Sequence, residues 1–134
     1  MQLHTHAPAE KGGTLYRAIR ATLACLRVQR QSVLRDWSTL RLSLLQNDTA
    51  EGIHALERLC LGLLVIGQLV ELVKLAAGDE HERQLAIAHD LRSRTVKQVL
   101  PLLAAARHDL PGAPEVIRSF LEVTRESDDP GDDR

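Results

Sequence analysis

The sequence predicts an all-α fold, an antiparallel bundle of three long helices followed by a short C-terminal helix. Strong helix formers dominate the chain, aromatic residues make up only 2% of it, and β-branched residues are sparse. Apolar residues also recur every three or four positions over long stretches, which is the spacing of one helix face. The 134 residues are the length of one domain.

The first predicted helix covers about residues 15–46 and carries an apolar seam with the heptad spacing of a coiled coil. Arg30 is the one polar member of this seam. A buried guanidinium without a partner is costly. We therefore expect Arg30 to pair with Glu57 or Glu71 on a facing helix, or to emerge at the edge of the seam.

The second predicted helix, residues 48–77, is apolar on nearly every side from position 59 onward. A helix that is apolar all round must be buried all round, and two neighbours in a small bundle cannot cover it. We therefore predict a homodimer joined through the first two helices. The predicted interface residues are Leu61, Leu64, Val65, Leu72, Trp37, Leu40 and Leu44.

Turn and cap residues set the remaining boundaries. Asp48 predicts the N-cap of the second helix, and Gly78 predicts its C-terminus. Asp79 predicts the N-cap of the third helix, which Pro101 should kink or interrupt. A proline- and glycine-containing break at 110–114 precedes a fourth helix at about 115–126. Residues 1–13 and the acidic tail 127–134 are predicted to be disordered, which leaves 14–126 as the helical domain.

Composition excludes several classes of function. The net charge is −1 and the N-terminal segment has no apolar core of a secretory signal, so we expect a cytoplasmic protein. Gln68, Glu71 and Lys74 interrupt the apolar run, which argues against a membrane span. The histidines and cysteines lack the HExxH and Cys-x-x-Cys spacings, and we expect no metal or other cofactor. Cys25 and Cys60 lie in apolar helical patterns and are predicted to be buried thiols.

One short stretch carries a chemical pattern. Residues 88–93, AHDLRS, resemble the phosphorylated histidine segment of two-component sensor kinases, although Arg94 replaces the proline that usually follows. Histidine phosphotransfer domains, which are also small four-helix bundles, have a similar His-x-Leu-Lys-Gly core, whose glycine this chain lacks. The resemblance implies that His89 attacks a phosphoryl group, that Asp90 acts as its acid/base neighbour, and that Arg92 holds the phosphate oxygens.

The first helix is basic. It carries six arginines against one acid, Asp36, whereas acids outnumber bases from Glu115 onward. A basic helix can track the phosphates of a nucleic acid. The chain has few aromatic residues for stacking on bases, and its helices are too long for a helix-turn-helix. Both observations argue against nucleic-acid binding.

The function that the sequence favours is that of a non-enzymatic regulatory or adaptor protein that presents a helical surface to a protein partner. The arginine-, alanine- and leucine-rich composition points to a GC-rich bacterial genome. Two alternatives stay open. One is histidine phosphotransfer through His89, and the other is nucleic-acid binding through the arginine-rich first helix. The sequence does not identify the protein partner.

Overall fold

The computed structural model describes the backbone of residues 2–128 and the side chains of residues 13–125. Its elements are α1 (Gln2–Gln46), α2 (Thr49–Ala77), α3 (Glu82–Asp109) and α4 (Ala113–Asp128). No strand occurs within residues 2–128. The predicted fold class, three long helices and a short fourth, is confirmed.

Most of the predicted boundaries lie at the predicted residues. The Asp48 carboxylate accepts a hydrogen bond from the backbone N–H of Glu51 at 3.2 Å, which confirms the N-cap of α2. Gly78 ends α2 with φ at +53°, and Gly112 turns the chain before α4 with φ at +89°. Both angles lie in the region that glycine adopts without steric cost.

Three boundary predictions differ from the structure. Asp79 does not cap α3, because α3 begins at Glu82 after His81, which makes no side-chain cap bond. Pro101 does not interrupt α3, which continues through it; the proline lies on an exposed side. The first helix begins before residue 15, since α1 starts at Gln2. Disorder was predicted for residues 1–13 and 127–134; the described backbone is helical at 2–13 and 127–128, and Met1 and residues 129–134 lie outside the described residues.

The contacts between α1 and α2 define an antiparallel pair. Asp36 Oδ1 accepts from Arg58 Nε at 3.1 Å. A Cβ at Gly62 would meet the side chain of Val33. Moving backward along α1 therefore moves forward along α2, as a short connection between two helices requires.

α3 returns parallel to α1. The Tyr16 and His81 rings lie 5.9 Å apart at their centroids, and Arg30 Nε donates to Thr95 Oγ1 at 3.0 Å. In both pairs the residue of α3 comes 65 positions after the residue of α1. A constant separation means that the two helices run in the same direction. α3 is consequently antiparallel to α2, and the three long helices form an up-down-up bundle.

α4 runs along α2 in the same direction as α2. A Cβ at Gly112 would lie 3.3 Å from Ile53 Cδ1 near the start of both helices. Further along, Leu64 of α2 and Val123 of α4 line the same cavity. α4 also contacts α3, so it lies over the groove between α2 and α3 and leaves the second half of α2 uncovered.

The core is aliphatic and lies between the three long helices. Only two polar side chains within residues 13–125, those of Ser43 and Thr95, are buried. The largest fully buried apolar side chains are Ile19, Leu26, Val33, Leu40, Leu56, Leu59, Ile66, Val70, Val73 and Val99.

Candidate interaction surfaces

The predicted interface residues of α2 lie largely on the surface. Leu61 and Leu72 are 61% and 54% exposed, and Val65 is 37% exposed. Leu64 is half-buried and lines cavities on both sides of α4. Leu61, Val65 and Leu72 therefore lie on the surface of α2, whereas Leu64 lies beside α4.

The predicted interface residues of α1 lie elsewhere. Leu40 is fully buried in the core of its own chain, so its inclusion in an interface was wrong. Trp37 and Leu44 are half-buried and pack against the same core. The physical reason is that the heptad seam of α1 faces α2 and α3 of its own chain, and little of it is left for another copy.

The exposed apolar residues of α2 form a regular row, which we call the outer α2 ridge. It consists of Leu61, Val65, Gln68, Leu72 and Leu75. The successive steps of four, three, four and three residues are heptad spacing. Leu75 is 79% exposed, yet neither it nor Gln68 was among the residues predicted at the interface. The spacing of the row was the signal in the sequence that could have found them.

A ridge of this kind is unusual on a single folded chain. Scattered exposed leucines are common on soluble proteins, but contiguous apolar patches mark sites of association. Three leucines more than half exposed and one valine share a single stripe of one helix. The buried stripe of α2, from Leu56 to Val73, lies against α1 and α3. α2 thus carries two apolar stripes, and its own chain covers one.

The half-buried guanidinium of Arg30 has a hydrogen-bond partner that the sequence did not predict. Its Nε donates to the hydroxyl of Thr95, which in turn donates to the backbone carbonyl of Leu91 at 2.7 Å. The predicted acidic partners, Glu57 and Glu71, form no ion pair with it. Arg30 does not meet these acids, because its side chain faces α3 rather than α2. The residue of α3 at this point is Thr95, which is fully buried.

His89 lies exposed on α3, which is the accessibility that phosphotransfer requires. Asp90 and Arg92, which were predicted to assist it, contact other parts of the chain. Asp90 Oδ2 is paired with Arg94 Nη2 at 2.9 Å, one turn along the same helix. Arg92 reaches across to α2, where a Cβ at Gly67 would lie 3.7 Å from its Nη2. The structure therefore does not bring these three side chains together as one site.

A groove lies between α2 and α3 beyond the point where α4 crosses them, with a volume of about 810 Å³. We call it the α2–α3 groove. Leu63, Val96 and Val99 lie along its walls, and Phe120 and Val123 of α4 border one end. Arg92 is half-buried within it. Sequence analysis missed this groove, because only the tertiary structure shows where α4 ends relative to the other helices.

A second cavity of about 480 Å³ flanks α4 on the other side. Cys60 lies on its floor, 4% exposed, and burial raises the pKa of its thiol to about 11. Such a thiol is a poor nucleophile at neutral pH. Cys25 is also free but exposed, so the prediction that both cysteines are buried holds for Cys60 and is wrong for Cys25.

The arginines of α1 lie mainly on its solvent side. Arg17, Arg20, Arg27 and Arg35 are exposed, and the one acid of this region, Asp36, is paired with Arg58 of α2. The guanidinium of Arg20 lies 5.8 Å from the centroid of the Tyr16 ring. The result is a basic face free of acids, which is compatible with an anionic partner and with simple solvation.

Two further features bear on function. Within the described residues, no group of three or more His, Cys, Asp or Glu side chains could hold a metal ion. α2 is long and apolar enough to cross a membrane by length and composition, since an 18-residue stretch of it has a mean hydropathy of 2.0. The core helix of a soluble bundle meets the same criterion, and α2 contributes ten buried residues to this bundle.

Comparison of the chain with protein families, with curated proteins and with solved structures gives no match in any of the three. The inference of function therefore depends on the surfaces of the molecule.

Proposed function

We propose that this protein is a non-enzymatic regulatory or adaptor protein that works as a homodimer joined through the outer α2 ridge. The observation that supports this proposal is the solvent-exposed apolar row with heptad spacing on α2. Two such rows pack against each other knobs into holes and remove the leucines from water. Burial of apolar area contributes about 25 cal/mol per Å², which is the driving force for association.

Gln68 favours a parallel pairing of the two ridges. In a parallel pair, equivalent residues face each other, so each Gln68 meets its copy and the two amides can exchange hydrogen bonds. In an antiparallel pair with heptad packing, Gln68 would face Val65 or Leu72 of the other copy. Its amide would then be buried without a partner, which costs roughly 1–3 kcal/mol.

The charges before Leu61 define where the interface ends. Arg58 occupies the preceding ridge position and is paired with Asp36 and Glu51 of its own chain at 3.1 and 3.7 Å. In a parallel dimer the two arginines stand at the end of the interface, each already neutralised. The apolar contact therefore begins at Leu61 and continues to Leu75.

The oligomeric state tests the proposal directly. Light scattering on the eluting protein should give the mass of a dimer at micromolar concentration, and Leu72→Glu should give a monomer that keeps its helical circular dichroism. Leu42→Glu is the matched control, because Leu42 of α1 is 52% exposed and Leu72 is 54% exposed. A monomeric wild-type chain, or dimers of equal strength in both variants, contradicts the proposal.

Crosslinking tests the parallel register. In a Cys25→Ala background, Gln68→Cys should form a disulfide-linked dimer under mild oxidation, since equivalent positions face each other. Ser38→Cys, at an exposed position of α1, serves as the control and should not crosslink. If Gln68→Cys links only to Val65→Cys in a mixture of the two variants, the ridges pair antiparallel instead.

A further inference from the structure

The α2–α3 groove is apolar over most of its length and polar at one end. Leu63, Val96, Val99 and Leu103 form the apolar stretch, which Phe120 closes from α4. From Leu103 to Arg92, α3 rises roughly 16 Å at 1.5 Å per residue. The volume of about 810 Å³ lies within the range of small-molecule sites between helices.

The polar end carries an excess of positive charge. Arg92 is half-buried there, and Lys74 and Glu71, which are both exposed, line the same groove. Among the described side chains, Arg92 forms no ion pair. Glu71 offsets one of the two cations, which leaves one net positive charge at the mouth of an apolar groove. Gln68 adds an amide that can donate a hydrogen bond.

The shape of the groove favours a slender ligand. Phe120, Val123 and Thr124 of α4 border its apolar end. A helix is about 10–12 Å across with its side chains, so a partner helix that filled the whole groove would meet α4 at that end unless α4 moved away. A single acyl chain needs no such movement. The cavity on the other side of α4 shares Leu64, Phe120 and Val123 with this groove.

We propose that the α2–α3 groove binds a single-chain amphiphile with a carboxylate head, such as a free fatty acid. The acyl chain lies along the apolar stretch between α2 and α3. The carboxylate accepts hydrogen bonds from the guanidinium of Arg92, whose planar fork matches carboxylate geometry. This binding site shares Gln68 and Leu72 with the proposed dimer interface and is otherwise separate from it.

Calorimetric titration with dodecanoate below its micellar concentration tests the site in the full-length protein. Wild type should bind dodecanoate, and should bind dodecan-1-ol at least about tenfold more weakly, because the alcohol lacks the charge-assisted bond. Arg92→Gln should bind the two probes equally. Arg94→Gln is the control, since Arg94 lies exposed on the same helix and pairs with Asp90; it should keep the wild-type preference.

Gly67 supplies a test of the groove itself. Gly67→Leu should fill the groove beside Arg92 and abolish binding of both probes, whereas Gly67→Ala, which adds only a Cβ at 3.7 Å from Arg92 Nη2, should keep binding. Thermal melting confirms that each variant is folded. Absence of dodecanoate binding by wild type, or equal loss of affinity in the two arginine variants, overturns the proposal.

Vesicles of phosphatidylglycerol distinguish the source of the anionic head. Gly67→Leu should leave any binding to vesicles unchanged, because a bilayer surface does not enter the groove. Binding of wild type to these vesicles without any binding of monomeric dodecanoate would assign the basic surface to a membrane and overturn the groove site.

Discussion

The Arg30 guanidinium and the Thr95 hydroxyl join α1 to α3 through a hydrogen bond of 3.0 Å in which Nε donates. Thr95 is fully buried, and its hydroxyl donates a hydrogen bond to the backbone carbonyl of Leu91. The hydroxyl has one proton and two lone pairs, so it satisfies both groups at once. This pair replaces the acidic partner that the sequence suggested for Arg30.

The pair predicts an asymmetric response to mutation. Thr95→Val should lower the free energy of unfolding by about 1 kcal/mol, because Arg30 Nε loses its acceptor. Arg30→Leu should cost less, since the Thr95 hydroxyl keeps its bond to Leu91. Urea denaturation of the two single variants and the double variant measures the coupling. Strict additivity of the three values would show that the bond contributes nothing to stability.

Two glycines of α2 predict opposite effects of the same substitution. At Gly62, a Cβ would lie 2.5 Å from Cγ2 of the buried, branched Val33, so Gly62→Ala should destabilise the protein by about 1 kcal/mol or more after its gain in helix propensity. At Gly67 the nearest atom is 3.7 Å away, and Gly67→Ala should stabilise by roughly 0.5–1 kcal/mol.

Chemical denaturation followed by circular dichroism checks both signs. Val33→Ala combined with Gly62→Ala is the control, because it removes the atom that the new methyl group meets and should recover part of the loss. If Gly62→Ala stabilises the protein as much as Gly67→Ala does, the close approach of α1 and α2 at this point is wrong.

The two cysteines should differ in reactivity. Cys25 is exposed, whereas burial raises the pKa of the Cys60 thiol to about 11, which leaves little thiolate at neutral pH. A thiol reagent should therefore label Cys25 in the native protein and label both cysteines only in denaturant. Mass spectrometry of the labelled peptides identifies the sites. Rapid labelling of Cys60 in the folded chain would show that the cavity beside α4 opens readily.

His108 should titrate above the ordinary range of histidine. Its Nδ1 lies 2.7 Å from Asp109 Oδ1, and this hydrogen bond, followed by the charge of Asp109, raises the pKa of His108. A raised pKa in the folded state favours the protonated form, so the contribution to stability is complete below the unfolded-state pKa and is lost as the pH rises through the folded-state pKa.

Nuclear magnetic resonance titration of the His108 ring measures this pKa. Asp109→Asn should lower it toward the ordinary histidine value. Because both side chains are largely exposed, added salt should also reduce the shift. A pKa that is the same in Asp109→Asn and in wild type would rule out the carboxylate as the cause.

The exposed His89 invites a direct test of phosphotransfer. We expect no transfer of a phosphoryl group from a phosphorylated receiver domain, because Asp90 is paired with Arg94 and Arg92 reaches toward α2. Incubation with radiolabelled receiver, with His89→Gln as the control, decides the question. Labelling of wild type that disappears in His89→Gln would establish the alternative function.

Local sequence signals predicted most of the helix boundaries. The N-cap at Asp48 and the glycine turn at Gly78 depend on interactions within a few residues, and both lie where predicted. Asp79 failed as a cap, because the chain takes a further turn through Glu80 and His81 before α3 begins. Short-range pattern cannot decide between two adjacent start points.

The candidate interface was partly predictable. Leu61, Val65 and Leu72 were predicted from the excess of apolar residues on the second helix, and they are exposed. Leu40 was wrongly predicted at the interface and is buried in its own chain. The heptad spacing of apolar residues is the same whether the helix packs against its own chain or against another copy. Apolar spacing shows that a face must be covered, and it does not say which helix covers it.

The sequence by itself determined the helices, the connections between them and the surplus of apolar surface on α2, because these follow from periodicity and local capping. Only the tertiary structure decided which side of each helix faces its own chain. That choice arises from contacts between residues far apart in sequence, such as Arg30 with Thr95 and Gly62 with Val33. The position of α4 follows in the same way from its packing against α2 and α3, which begins where Gly112 lies beside Ile53 and leaves the outer α2 ridge and the α2–α3 groove open.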